Sequence, residues 1–156
     1  EAQKSALCTH NHPEGVKGAQ VIAGCGYLAK NGASKKEIKS YVQKKFGYSL
    51  NKRLSFYRVF SRFDMSCQKS VPLALQCFLE SDSWEECIRN VFSVRCDTDT
   101  IGAIAGGIAD AYFHGTGFDE DALLRQFLIK PNKFGAMDPF LYQWAIAKQE
   151  ESGEPS

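Results

Sequence analysis

Residues 97–112, reading DTDTIGAIAGGIADAY, constrain this chain more than any other stretch. Ile101, Ile104, Ala105, Ile108 and Tyr112 recur at the helical period, and Gly102 and Gly106 open a neighbouring face, so the segment is a helix packed on more than one side. Such a helix needs partners around it. Alternating apolar and polar runs of strand length are hard to find elsewhere, which leaves other helices as the partners and makes the fold class all-α.

The other helices are marked by their ends. One starts at Pro13, where a missing amide proton costs nothing, and runs through Lys30 to stop near Asn31 and Gly32. It carries Gly15, Gly18, Ala19, Ala23, Gly24 and Gly26. Each glycine costs about 1 kcal/mol of helix propensity against alanine, a loss that close helix contacts must offset. Ser34 and Glu37 make a capping box for a second helix ending at Gly47. Residues 48–68 read as helix then loop, with Tyr57, Phe60 and Phe63 at helical spacing. Pro72 opens a helix through Leu79, and Ser83 with Glu86 makes another capping box for a helix to about Val94. The glycine-lined helix ends at Gly115 and Gly117, and further helices are expected over 119–129 and 139–148. The domain expectation is one helical domain over 1–149 followed by a disordered polar tail over 150–156.

With 156 residues, 44% of them hydrophobic, the chain can bury one core but not two full ones. A net charge of +1 provides no overall field toward nucleic acid or an anionic membrane. No run approaches the roughly 18 apolar residues that span a bilayer, and no signal-peptide layout opens the chain. Cys8, Cys25, Cys67, Cys77, Cys87 and Cys96 lack paired spacing and read as free thiols of a cytoplasmic protein. The chain starts at Glu1, with Met65 and Met137 as its only methionines, so a processed chain or an excerpt of a longer one is expected.

Two short segments carry chemistry. Asp97, Thr98, Asp99 and Thr100 put two carboxylates and hydroxyls where a loop enters the glycine-lined helix, a donor set for a hard cation such as magnesium, manganese or calcium. The alternative is that Asp97 or Thr98 caps the helix and Asp99 favours its positive end. Thr9, His10, Asn11, His12, Pro13 and Glu14 precede the small-residue helix, whose amides could hold a phosphate with help from His10 or His12. Equally, Asn11 or His12 caps that helix. A zinc site on Cys8, His10 and His12 lacks a fourth ligand at a familiar spacing. Lys35, Lys36, Lys39, Lys44 and Lys45 read as a solvated helix face, and Phe56, Tyr57, Phe60 and Phe63 as core rather than a base-stacking platform. No glycine-rich dinucleotide fingerprint, phosphate loop or nucleophile elbow is present.

The segment 9–20, THNHPEGVKGAQ, and the segment 97–112 together resemble two blocks of the ADP-ribosylglycohydrolase family. FGYSL at 46–50, SCQKSVPLAL from Ser66 and FLESDSWEECI at 78–88 extend the likeness over about residues 5 to 115. The resemblance implies a compact orthogonal helical bundle, matched here by its carboxy-terminal part. It implies two Mg2+ ions, with Mn2+ as a substitute, for which Asp97, Asp99 and Thr100 would be ligands. His10 would contact the substrate, with His12 and Glu14 second to it. The partner implied is ADP-ribose or an ADP-ribosylated target, and the reaction is hydrolysis at the anomeric carbon of a ribose. The family's amino-terminal Thr-Asp-Asp type motif and its catalytic acidic residue are not found in this chain, and Arg95 and Cys96 stand where the family usually shows two glycines. The other reading is therefore a catalytically incomplete remnant or helical interaction module that binds ADP-ribose without turnover. A half lacking its complement would expose part of its core, so self-association is expected.

Overall fold

The computed structural model describes residues 1–7, 12–60, 66–119 and 122. It divides the chain into two compact units, Glu1–Thr116 and Gly117–Ser156. Among the described residues there are seven helices and no strand, so the all-α expectation holds.

In chain order the helices are α1 (Ala2–Leu7), α2 (Pro13–Lys30), α3 (Lys35–Phe46), α4 (Leu54–Phe60), α5 (Cys67–Leu79), α6 (Trp84–Phe92) and α7 (Thr98–Phe113). α7 lies at the centre of the first unit, packed by α2, α5 and α6. Its stripe is where the periodicity puts it, with Ile101, Ala105, Ile108 and Ala109 buried and Ile104 and Tyr112 packed against that core. α5 is buried from Ser70 to Phe78 without a break, as expected of a helix surrounded by others. Leu75 and Phe78 are fully buried there, and truncating either to alanine should cost about 2–5 kcal/mol.

The small residues of α2 do permit close approach, at particular positions. A β-carbon at Gly24 would overlap the Tyr41 ring of α3, and one at Gly18 would sit 3.5 Å from Val71 of α5. Gly26 faces open space, so its propensity cost is not offset by a contact. In α7, Gly106 lets Trp84 Nε1–H donate to its carbonyl at 3.2 Å.

The ends test the local signals. α2 runs from Pro13 to Lys30 as expected, with Asn31 as its C-cap and Gly32 left-handed. The capping box of α3 is complete, Glu37 N–H donating to Ser34 Oγ and the Glu37 carboxylate accepting from Ser34 N–H at 2.8 Å. At α6 the box is shifted. Ser83 Oγ accepts from Glu86 N–H, but the Glu86 carboxylate accepts from Asp82 N–H, one residue earlier than expected. α6 also stops at Phe92 rather than Val94, because Ser93 turns back to bond the carbonyls of Arg89 and Asn90.

α5 starts at Cys67, so Pro72 lies inside it rather than at its first turn. The carbonyl that Pro72 deprives of an amide partner belongs to Gln68, an exposed residue in the first turn, where water can satisfy it. α1 was not expected at all. The helices expected beyond residue 122 and the polar tail lie outside the described residues, although the Asp119 carboxylate already accepts from Ala122 N–H at 3.0 Å.

α4 is held from outside itself. The Glu80 carboxylate caps it by accepting from Leu54 N–H at 2.7 Å, and Arg58 donates to Ser93 Oγ and Asn90 Oδ1 of the α6 end. This orientation buries Leu54 and turns Phe56, Val59 and Phe60 outward. Phe60 is 66% exposed, so the aromatics expected as core are partly surface, and only Tyr57 of the described three packs against the core. Lys35 departs from its expected solvated face as well. Its ammonium lies over the rings of Phe78, Tyr112 and Phe113, at 5.3–5.6 Å, and donates to the Ser81 carbonyl. Burial pushes its pKa down, against the pull of nearby Asp82 and Glu86.

Candidate functional site

The start of α7 gathers oxygen atoms. Asp97 is the N-cap residue, yet its side chain makes no bond to the helix backbone. Its Oδ2 instead accepts from Thr100 Oγ1–H at 3.0 Å, while Asp99 Oδ1 accepts from Thr100 N–H at 2.9 Å. A hydrogen bond between the two carboxyl groups completes the cluster. It raises the pKa of Asp97, with the Thr100 hydroxyl pulling the other way, and together with backbone N–H groups it holds Asp99 low. Two carboxyl groups this close in an exposed setting are short of positive charge, a deficit that a hard dication relieves.

Asp97, Asp99 and Thr100 fit part of the coordination sphere of such an ion, as carboxylate and hydroxyl oxygens at one helix turn. Among the described residues, no group of three or more histidine, cysteine, aspartate or glutamate side chains comes together, so further ligands would be water, substrate or residues outside that set. Arg95 is exposed, and the Cys96 thiol, half-buried, donates to the Val91 carbonyl at 3.7 Å.

The start of α2 is built differently. His12 is the N-cap, and its Nδ1 accepts from Glu14 N–H at 3.3 Å, so this histidine caps the helix. Glu14, half-buried, faces Lys17 at 4.0 Å. His10, with Cys8, Thr9 and Asn11, lies outside the described residues, so its expected substrate contact has no structural description.

Glu14 also belongs to a feature that sequence reasoning did not find, a half-open cleft of about 630 Å³. Residues from five separated segments line it, among them Lys17, Tyr48, Lys52, Phe56, Lys69 and Cys96. Cys96 brings its rim to the residue next to Asp97. No local motif announces it; the only available signal was a rise in lysine and aromatic content around residues 44–69.

Of the five described cysteines, all are free thiols. Burial pushes Cys25 up to about 12 and Cys87 up to about 11, and Cys77 higher still. Among the described residues no helix is long and apolar enough to cross a membrane.

The sequence profile of ADP-ribosylglycohydrolase matches residues 1–126, a span that contains both helix starts and the cleft. No curated protein and no solved structure matches the chain. The profile covers most of the chain and the architecture is helical, and the chain belongs to the ADP-ribosylglycohydrolase family of hydrolases.

Proposed function

We propose that this chain acts in Mg2+-dependent hydrolysis of the glycosidic bond joining ADP-ribose to a modified target, with Asp97, Asp99 and Thr100 as metal ligands. The observation carrying this reading is the oxygen cluster at the start of α7, where Asp97 Oδ2 accepts from the Thr100 hydroxyl at 3.0 Å, Asp99 Oδ1 accepts from Thr100 N–H at 2.9 Å, and the two carboxyl groups shift each other's pKa in opposite directions. A bound dication would supply orientation of the ribose hydroxyls and a more acidic water. The chain's own part is to present three oxygens within one turn, fixed by the Thr100 bonds, so that the sugar meets a site already ordered. In the reaction, water oxygen bonds to the anomeric carbon, the bond to the carrier breaks, and the carrier leaves with a proton. His10, Glu14 and His12 are proposed substrate contacts in that order, His12 last because its Nδ1 is engaged in capping. The free thiols of five cysteines suit a reducing compartment such as the cytoplasm.

A second reading, a non-catalytic module that binds ADP-ribose without turnover, is favoured by one observation. Two carboxylates and one hydroxyl alone would leave two dications under-neutralised. Calorimetry separates the two. Mg2+ and then ADP-ribose are titrated into the chain and into its Asp97→Ala, Asp99→Ala variant. Magnesium-dependent ADP-ribose binding that vanishes in the variant supports the site, and release of ADP-ribose from a modified target then marks turnover. Absence of binding in the parent chain would sink the assignment of a usable metal site to these residues.

A further inference from the structure

A second concavity, of about 400 Å³, lies between α3, α5 and the chain at 50–53, and it shares no lining residue with the cleft beside Cys96. Lys35, Lys36 and Lys39 of α3 line it together with Arg53, against one carboxylate, that of Glu80. That carboxylate is already engaged. It accepts from Leu54 N–H at 2.7 Å and from Gln76 Nε2–H at 2.5 Å, so it serves the start of α4 and the body of α5. Lys35 keeps its bond to the Ser81 carbonyl, whereas Lys36, Lys39 and Arg53 form no ion pair among the described residues.

Two of these charges also work against their own helix. Lys35 and Lys36 are the first two residues of α3, where the aligned peptide dipoles favour an anion and disfavour a cation. Glu37 in the same turn is committed to the capping box with Ser34. Gln76 adds an independent observation. It lines the concavity, is only 6% exposed, and its Oε1 is buried with no hydrogen-bond partner among the described residues. Its Nε2 faces the Glu80 carboxylate, and exchanging the two ends of the amide would set oxygen against oxygen, so the unmet atom is an acceptor. A buried acceptor without a partner costs stability that a ligand's donor returns.

We propose that this concavity binds a small phosphate ester with free hydroxyls, of the sugar-phosphate class, with Lys36, Lys39 and Arg53 on the phosphate and Gln76 Oε1 accepting from a hydroxyl. The guanidinium of Arg53 matches two phosphate oxygens at once, and the lysines add point charges. A small side-chain adjustment on binding opens the Gln76 amide to the hydroxyl. The volume is within the range of small-molecule sites. An apolar ligand would find only Leu50, which is buried, and Leu79, which is half-buried. An anion without a donor would leave Gln76 unmet. The site does not depend on the hydrolase reading and stands even if Asp97 and Asp99 hold no metal.

The test is calorimetric titration of glucose 6-phosphate and of glycerol 3-phosphate into the full chain without divalent metal. Lys36 and Arg53 are exposed, so Lys36→Gln with Arg53→Gln should keep the fold, as circular dichroism checks. Expected is saturable binding of at least one ester that weakens at least tenfold in that variant and severalfold in Gln76→Met, while the Asp97→Ala, Asp99→Ala variant binds it like the parent. Sulfate, which has the charge without a donor, and glucose, which has donors without the charge, should both bind more weakly. Lys36→Glu gives an independent reading. It takes a cation from the positive end of α3, so the free chain's Tm should rise while the Tm gain from the ester is lost. The proposal is overturned if neither ester binds, if the Lys36→Gln, Arg53→Gln variant binds as tightly as the parent, or if sulfate matches the esters, since charge alone would then account for the site. Displacement of the ester by ADP-ribose would overturn it as well.

Discussion

The starts of α2 and α7 solve the same problem in opposite ways. Both leave backbone amides without intrahelical partners, and both bring a polar residue to the N-cap. At α2 the cap works for the helix, His12 Nδ1 accepting from Glu14 N–H. At α7 the Asp97 carboxylate turns away from the amides and binds the Thr100 hydroxyl and Asp99. An acidic cap that forgoes its backbone bond and joins its neighbour's carboxyl group gives up stability for an oxygen cluster. That pattern is expected where the oxygens serve a ligand.

The largest expected effect breaks the comparison at its centre. Asp97→Ala with Asp99→Ala should weaken Mg2+-dependent ADP-ribose binding by on the order of a hundredfold, by analogy with the loss of metal-site groups. His12→Ala should leave Mg2+ response intact. Thermal unfolding with and without Mg2+ reads both, since a ligand that binds only the folded chain raises Tm. An equal loss in the two variants would show that the two helix starts do the same job.

The bodies of the two helices differ as well. Gly24→Ala in α2 drives a β-carbon into the Tyr41 ring and should destabilise the protein by about 1–3 kcal/mol, measured by urea unfolding. Gly107→Ala in α7 meets open space, and its surface position should let the helix gain up to about 1 kcal/mol. The opposite signs are the sharper result, because a propensity argument alone predicts a gain at both.

Local signals were legible and tertiary ones were not. Ser34 with Glu37, and Pro13 with Asn31, mark their helix ends because all the groups involved lie within one turn. Pro72 misled because proline is at home in a first turn, whereas α5 starts five residues earlier at Cys67 and lets an exposed Gln68 carbonyl go without its amide. α1 opens on Glu1 and Ala2, with no Ser, Thr, Asp or Asn at its start to announce it. Phe56 and Phe60 share helical spacing with Tyr57 and Leu54 nearby, and spacing cannot choose which face is buried. Glu80 and Arg58 choose it, through bonds to α4 and from it across 26 and 35 residues. The oxygen cluster of α7 could be read from four consecutive residues, while the cleft needs Lys17, Tyr48, Lys52 and Lys69 from separate segments.

His12→Ser should move stability by less than these. Serine is a better cap than histidine, and gains from improved caps are about 0.5–1 kcal/mol, read as a shift in the urea midpoint.

The smallest effect concerns the coupling of the two carboxyl groups. In the metal-free chain the Asp97 carboxyl titrates above the ordinary aspartate range because of its hydrogen bond to Asp99. A carboxyl raised in the folded state favours folding when protonated. Its contribution is fully present below the unfolded-state pKa and is lost as pH rises through the raised value. Asp99, held low by Asp97 and by backbone N–H groups, has the opposite sign: its contribution is present above the unfolded pKa and lost as pH falls through the lowered one. Asp97→Asn supplies a neutral donor and acceptor in place of the protonated carboxyl. At pH 7 without metal the variant should therefore have a Tm equal to or slightly above the parent's. The gap should close as pH falls below the ordinary aspartate pKa of about 3.9, where the parent's Asp97 is protonated anyway. Adding Mg2+ at pH 7 should reverse the order, raising the parent past the variant. A variant less stable than the parent at pH 7 without metal would mean that Asp97 serves the helix after all, and that the two helix starts are alike.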